Sequence, residues 1–319
     1  MRAPAKRSEA ICALLTAAGF HWSQLQVSRY AATNMGPSIE QAILKATHTL
    51  REAGIDAARQ DAALLLGHTL GRDRTFLITR SQEPLSEEVG TTFAEFVARR
   101  AAGEPLQYIT GHQAFFNLDF EVTRDVLIPR PETELLVEVA LSLLSTNDLT
   151  PFLCDVGTGS GCIAISLLHE IKNATAIGID VSPAVLRITT RNAERNAVSD
   201  RFQLVASDCF AALKPAPTFS MIVSNPPYVT ETALLELQRE VREYEPHLAL
   251  AAGPDGLSII RRLLREASDY LVDGGHFLFE MGFDQHEAVR TLIDKRVWEV
   301  LDFHRDLQGI HRIVSLRKR

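Results

Sequence analysis

The chain has 319 residues, 46% hydrophobic and 23% charged, with a formal net charge of −7. That length suits one large domain and a smaller one, no apolar run is long enough to span a bilayer, and the acidic balance argues against stable binding to a nucleic-acid phosphate backbone. Cys12, Cys154, Cys162 and Cys209 form no C-x-x-C pair and no H-E-x-x-H occurs, so buried reduced thiols are expected rather than a disulfide framework or a bound metal.

Residues 1–36 read as a poorly ordered extension. The first 34 carry Arg2, Lys6, Arg7 and Arg29 against Glu9 alone, around the apolar run AICALLTAAGF. Low acidity with scattered arginine suits an organellar targeting peptide, but no small-residue cleavage site follows. An extension upstream of Met35 on a cytoplasmic protein is the preferred reading. From Ser38 the apolar spacing becomes helical, with Ile39, Ala42, Ile43, Ala46 and Leu50 on one face. Ser38 and Gln41 form a capping-box pattern, and Gly54 is a stop signal. DAARQDAALLLGHTLG and SEEVGTTFAEFVARRAAG read as two further helices. Residues 37–107 are thus expected to form a small helical domain.

Residues 108–126 alternate and are rich in aromatic and β-branched side chains, so they read as a β-hairpin connector. Over residues 127–319 short apolar runs alternate with helical stretches. The candidate strands are FLCDV, ATAIGID, FQLVA, MIVSN, HFLFE, WEVLDF and HRIVSLR. Helical patterns such as SPAVLRITTRNAERNA and LSIIRRLLREASDYL lie between most of them. The expected class is α/β: a doubly wound, mainly parallel sheet of about seven strands covered on both faces, whose last two strands need not be parallel.

Three stretches carry chemistry. In CDVGTGSGCIAISLL, Gly157, Gly159 and Gly161 permit a tight turn and close ligand approach before a helix start. The spacing is G-x-G-x-G and not the dinucleotide G-x-G-x-x-G, which favours a nucleoside without a pyrophosphate. Asp180 ends the second strand, nineteen residues beyond Gly161, where a carboxylate can accept both hydroxyls of a ribose. On local grounds Asp180 or Ser182 also serves as an N-cap for the helix after Pro183. Asp208 ends the third strand, within reach of an adenine amino group. The third stretch is VSNPPYV, residues 223–229. First and fourth strands of a doubly wound sheet are neighbours across the topological switch, and ligands bind beyond their carboxyl ends. Asn225, Pro226, Pro227 and Tyr228 should therefore face the glycine loop. The Asn225 carboxamide oxygen and the Pro226 carbonyl can each accept a hydrogen bond from one planar NH₂ group. Tyr228 offers a flat face for stacking, which needs the ring and not the hydroxyl, so Tyr228→Phe is expected to be mild. Two acceptors and a plane suit alkylation of a weakly nucleophilic nitrogen.

These motifs, with GEPLQYITGHQAFF, LIPRPETE, YEPHLALAAGPDGL and RDLQGIHRIV, resemble the class I S-adenosylmethionine-dependent methyltransferases, and within them the protein-(glutamine-N5) methyltransferases of peptide chain release factors. The resemblance spans residues 37–319. It implies substrate recognition by the helical domain of residues 37–107, a Rossmann-like methyltransferase domain over 127–319 and S-adenosylmethionine as cofactor. Gly157, Thr158, Gly159, Ser160 and Gly161 would cradle its methionine end, Asp180 its ribose, and Asp208 and Cys209 its base, with Asn225 also against the cofactor. Family members often carry a bulky aromatic residue where this chain has Cys209. Asn225 to Tyr228 would hold the glutamine of the Gly-Gly-Gln motif in class 1 release factors, with Asn225, Pro226 and Tyr228 at the reacting centre. Arg130, Glu132 and Glu134 read locally as a charge cluster at a helix start, with Pro131 in the first turn. The family pattern through IPRPETE places Arg130 and Glu132 with the substrate. Alternative substrates are a ribosomal-protein glutamine or an exocyclic amino group of a nucleic acid base. A cofactor-binding scaffold without catalysis is the reading from a different class, and the presence of Asn225 and Tyr228 argues against it.

Overall fold

The computed structural model describes residues 36–144 and 150–319. The expectation for residues 1–34 therefore lies outside the described residues. The chain divides into two compact units, the second beginning at Gly103.

The first unit is helical: α1 (Ile39–Glu52), α2 (Ala58–Leu70), the short α3 (Arg74–Thr79) and α4 (Glu87–Ala101). The capping box at the start of α1 is formed: the Gln41 amide donates to Ser38 Oγ at 3.3 Å, and the Ser38 amide donates to Gln41 Oε1 at 3.0 Å. Ser86 caps α4, whose first turn carries Glu87 and Glu88 and whose last carries Arg99 and Arg100, charges placed to suit the helix dipole. Leu50, Leu65, Leu66, Phe93 and Val97 are buried. Among them sits an ion pair, Arg100 Nε to Asp61 Oδ2 at 2.8 Å, with side chains 9% and 8% exposed.

The second unit opens with α5 (Leu106–Thr110) and the hairpin β1 (His112–Phe115) and β2 (Leu118–Glu121). Phe116 and Asn117, at φ 48° and 60°, make the turn, as a two-residue turn of matching twist requires. Then follow α6 (Glu134–Leu143), β3 (Phe152–Val156), α7 (Cys162–Glu170), β4 (Thr175–Asp180), α8 (Pro183–Arg195), β5 (Phe202–Ala206), β6 (Phe219–Ser224), α9 (Arg239–Tyr244), α10 (Ser258–Glu266), β7 (Leu271–Glu280), α11 (His286–Leu292), β8 (Trp298–Arg305) and β9 (His311–Lys318). The seven-stranded sheet runs β5-β4-β3-β6-β7-β9-β8. Strands β3 to β7 are mutually parallel, and β9 is antiparallel to both neighbours.

Successive residues of the central strands point to opposite faces, and both faces are buried. Leu153, Met221, Val223, Leu278 and Ile313 join one apolar cluster with α6 and α7. Cys154, Ile222, Phe277, Phe279 and Val314 join the other with α10 and Trp298. The strands are near-continuous apolar runs for this reason. Helix α3 and helix α11 had no clear periodic signal, being six and seven residues long.

Breaking a buried ion pair from one side strands the other charge. Asp61→Ala should therefore destabilise the helical unit by about 3 kcal/mol. Urea unfolding of the full chain followed by far-UV circular dichroism checks this; a midpoint equal to wild type would remove the pair from the unit's stability.

Candidate active site

The carboxyl ends of β3 and β6 lie level with each other. Asp155 pairs with Val223 in the parallel register, so Gly157 and Asn225, each two residues further on, leave the sheet side by side. Ser224 Oγ reinforces the register by donating to the Val156 carbonyl at 2.6 Å. Between these ends opens a cavity of about 550 Å³, within the usual range for small-molecule sites.

The glycine loop forms one wall. Gly157, Gly159 and Gly161 adopt φ of +73°, +56° and +83°, left-handed conformations that favour glycine. The amides of Gly157 and Thr158 both donate to the Ile179 carbonyl, at 2.8 and 2.9 Å. Helix α8 pins the loop from behind: Thr189 Oγ1 donates to the Gly159 carbonyl at 2.7 Å, and Asn192 Nδ2 to the Ser160 carbonyl at 2.9 Å. Asn192 also exchanges hydrogen bonds with the backbone of Glu121 in β2. The hairpin is thus part of the support of the loop as well as a connector. A Cβ on Gly161 would lie 2.8 Å from Ile165 and Thr189, whereas one on Gly157 would meet nothing within 4 Å. The loop is closed on the protein side and open on the cavity side.

Asp180 lines the cavity. Its Oδ2 accepts from the Gly159 amide at 3.1 Å and its Oδ1 from the Ser182 amide at 3.0 Å. Burial raises its pKa, against the pull of these backbone donors. Each oxygen keeps a lone pair. The N-cap role belongs to Ser182, whose hydroxyl accepts from Val185. Asp208 and Cys209 also line the cavity. Asp208 Oδ1 is engaged by Arg262 at 2.7 Å, and Arg262 also binds the Asp208 carbonyl at 2.9 Å. Cys209 sits at φ 48°, and burial pushes its thiol up to about 11, so it is a neutral wall residue.

Asn225, Pro226 and Pro227 line the opposite wall. Asn225 Nδ2 donates to Thr133 Oγ1 at 3.1 Å. The structure places Tyr228, Arg130 and Glu132 as follows. Tyr228 is not among the lining residues; its ring packs against the apolar cluster that includes Leu257 and Ile260. Its hydroxyl is not idle either, because it donates to Glu280 Oε1 at 3.0 Å. Arg130 lines the cavity, but its guanidinium donates to Glu245. That carboxylate, 3% exposed, also takes the Ile128 amide at 3.2 Å. Burial raises the pKa of Glu245 and Arg130 opposes the shift. Glu132 is half-buried and does not line the cavity. Sequence reasoning missed Thr133, Thr189, Asn192, Glu245, Glu280 and Gln285. Thr133 and Glu245 lie inside the quoted stretches LIPRPETE and YEPHLALAAGPDGL, and Glu280 is a carboxylate closing the apolar strand HFLFE.

Do these residues fit S-adenosylmethionine? The donor set is apt: an open glycine cradle, a ribose-competent carboxylate, and an apolar wall of Val156, Ile163 and Ile259, while the two lining arginines, Arg124 and Arg130, are paired with Glu104 and Glu245. Beneath the loop, Asp155 is 1% exposed. Its Oδ2 accepts from Thr158 Oγ1 at 2.7 Å, while Oδ1 has no partner. Burial pushes its carboxyl up to about 7. The folded state therefore binds this proton more tightly than the unfolded chain. The resulting stability is full below the ordinary carboxylate range and is lost as pH rises through about 7. Asp155→Asn removes this dependence. Its melting temperature should fall less than that of wild type between mildly acid and neutral pH in cofactor-free scans; parallel curves would contradict the shift.

Residues 41–111 match the model of the PrmC N-terminal domain and residues 132–243 that of the methyltransferase small domain. The chain is 41% identical over 281 residues to the release factor glutamine methyltransferase of Koribacter versatilis, covering 88% of this chain and 99% of that one. It is 40% identical over 287 residues to the protein of that name from Bradyrhizobium diazoefficiens, covering 89% and 96%. The relative from Burkholderia pseudomallei is 41% identical over 271 residues, covering 84% and 94%. With this identity sustained along almost the whole length of its relatives, on a fold whose strand ends build a nucleoside-sized cavity, the chain belongs to the release factor glutamine methyltransferases, a family of S-adenosylmethionine-dependent enzymes.

Proposed function

We propose that this enzyme methylates the side-chain amide nitrogen of a glutamine in class 1 peptide chain release factors, the glutamine of their Gly-Gly-Gln motif. The observation that carries the reading is the Asn225 carboxamide. Its nitrogen is committed to Thr133, and its oxygen accepts no hydrogen bond from the described residues, on the wall facing the glycine loop. An acceptor so placed, with the Pro226 carbonyl beside it, is matched by the two N–H donors of a primary amide.

When bound, S-adenosylmethionine supplies a methyl group on a sulfonium, an electrophile with a neutral leaving group. The residues of the chain bind and orient. Gly157 to Gly161 approach the methionine end through backbone, with Thr158 and Ser160 buried beneath it. The free lone pairs of Asp180 accept the ribose hydroxyls. Asp208 and Cys209 border the base. Asn225 and Pro226 fix the plane of the glutamine amide, whose nitrogen is a poor nucleophile because its lone pair is delocalised. Orientation and exclusion of water are then the main sources of rate. The nitrogen gains the methyl group and gives one of its protons to water. Tyr228 acts from behind the wall, and Arg130 shapes the rim through Glu245. The helical unit supplies binding energy to the folded factor through parts of it other than the reacting amide. In this reading the enzyme works in the cytoplasm and needs no stable nucleic-acid partner. No helix among the described residues is long and apolar enough to cross a membrane.

Mass spectrometry of a class 1 release factor incubated with enzyme and S-adenosylmethionine should find one methyl group on the Gly-Gly-Gln peptide. Methylation of adenine in DNA, with none on the factor, would overturn the reading. Asn225→Ala should lower kcat by about 10²–10³-fold, as removal of one preorganised hydrogen-bonding group does, with cofactor affinity by calorimetry unchanged. An isolated peptide carrying the motif should show a far lower kcat/KM than the intact factor; equal values would deny any role to remote binding.

A further inference from the structure

Glu280 is the last residue of β7 and is 2% exposed. It does not line the cavity, yet both of its oxygens are in use. Oε2 accepts from Thr133 Oγ1 at 2.6 Å, and Oε1 accepts from the Tyr228 hydroxyl at 3.0 Å. Thr133 in turn accepts from Asn225 Nδ2 at 3.1 Å. One buried carboxylate is therefore joined to the first and last residues of Asn225-Pro-Pro-Tyr228, to one through Thr133 and to the other directly.

The directions of these bonds follow from the chemistry of the partners. An ionised carboxylate accepts and cannot donate. The single hydroxyl hydrogen of Thr133 must then point at Glu280, which leaves Thr133 only lone pairs to offer Asn225. Only the NH₂ end of the Asn225 carboxamide can meet a lone pair, so its oxygen is turned to the cavity. Which end of an asparagine amide is nitrogen is decided by its hydrogen-bond network, and with Glu280 ionised, accepting from both Thr133 and Tyr228, the network has one consistent solution. Its origin is the acceptor-only character of Glu280. Burial raises the pKa of this carboxyl, while the Thr133 and Tyr228 hydroxyls and the charge of Arg312 work the other way.

We propose that Glu280 is a positioning residue for methyl transfer: through Thr133 it fixes the polarity of the Asn225 carboxamide, so that the site presents an acceptor to an N–H donor, and through Tyr228 it anchors the far end of the same loop. The inference rests on the reading that Asn225 receives the substrate amide. Its specific consequence is selectivity for a primary amide over a group that only accepts. A glutamine at 280 has the same shape but can donate. Turned toward Thr133, its NH₂ would take the oxygen of the hydroxyl and release the hydrogen to Asn225. The carboxamide would then settle with its oxygen toward Thr133 and its NH₂ toward the substrate, donor against donor. Tyr228 is held on its other side as well, by Gln285 Nε2 on its carbonyl at 3.0 Å, so the loop backbone retains support when the Glu280 contact changes.

The test uses the full-length enzyme with an intact class 1 release factor and S-adenosylmethionine. Wild-type methylation of the factor establishes the underlying reading independently; its absence would fault that reading and not the role of Glu280. Given wild-type turnover, Glu280→Gln should lower kcat by about 10²-fold, the scale for one preorganised hydrogen bond. KM for the factor and calorimetric affinity for the cofactor should stay within about threefold, less than a 1 kcal/mol change. Thr133→Val should reproduce the loss and Thr133→Ser should restore most of kcat. In an Asn225→Ala background, Glu280→Gln should cause no further drop. A wild-type kcat in Glu280→Gln, a full multiplicative loss in the double variant, or a fall in cofactor affinity matching the fall in kcat would each overturn the assignment. If Glu280→Gln does not fold, the Thr133 pair decides: failure of Thr133→Ser to recover activity lost in Thr133→Val overturns it as well.

Discussion

The parallel pairing of β3 with β6 is the constraint from which the site is built. The chain winds outward from β3 to β4 and β5 on one side, then returns across it to β6 and β7 on the other. Where the winding reverses, two strand ends lie next to each other with no crossover helix between them, and a crevice results. The register decides what faces the crevice. With Asp155 opposite Val223, Gly157 and Asn225 emerge at one height, and Ser224 reaches the Val156 carbonyl. A slip of one residue would exchange the faces of every side chain on β6. It would also move Ile222 out of one apolar cluster and Val223 out of the other.

Around that crevice the protein accumulates buried polar groups. Asp155, Glu245 and Glu280 are each nearly inaccessible, and burial raises the pKa of all three. Such groups are tolerated when donors satisfy them. Their partners here are the segments that shape the cavity: the glycine loop for Asp155, the irregular Ile128–Arg130 segment for Glu245, and the Asn225–Tyr228 loop for Glu280. Irregular backbone that would otherwise be mobile is fixed by hydrogen bonds to residues anchored in sheet and helix. This is the preorganisation that orientation-driven catalysis requires, since a reacting amide has to be met by acceptors already in place.

Much of this was legible because it is local. Seven candidate strands became seven strands, and the central β3 and β6 read as apolar runs because both of their faces are buried. Gly157, Gly159 and Gly161 announced left-handed turns because few other residues adopt them. Other readings assumed that a residue in a motif points into the site. Tyr228 faces the apolar cluster with its hydroxyl on Glu280, Arg130 is drawn onto Glu245, and Glu132 is off the cavity wall. A local reading could not pair Glu245 with Arg130, or Glu280 with Thr133 and Tyr228, because these partners lie 115, 147 and 52 residues away along the chain.

By itself the sequence determined the periodicities, the glycine turns, the order of elements and hence a doubly wound sheet with a ligand crevice at its switch point. Those properties are set by neighbouring residues, through sterics and the alternation of apolar with polar positions. Only the tertiary structure decided which polar side chains meet. Asn225 and Thr133 are 92 residues apart, and Thr133 and Glu280 are 147 apart. A hydrogen bond forms over a few ångströms at a defined angle, and no pattern along the chain records which distant donor the topology will bring within that reach.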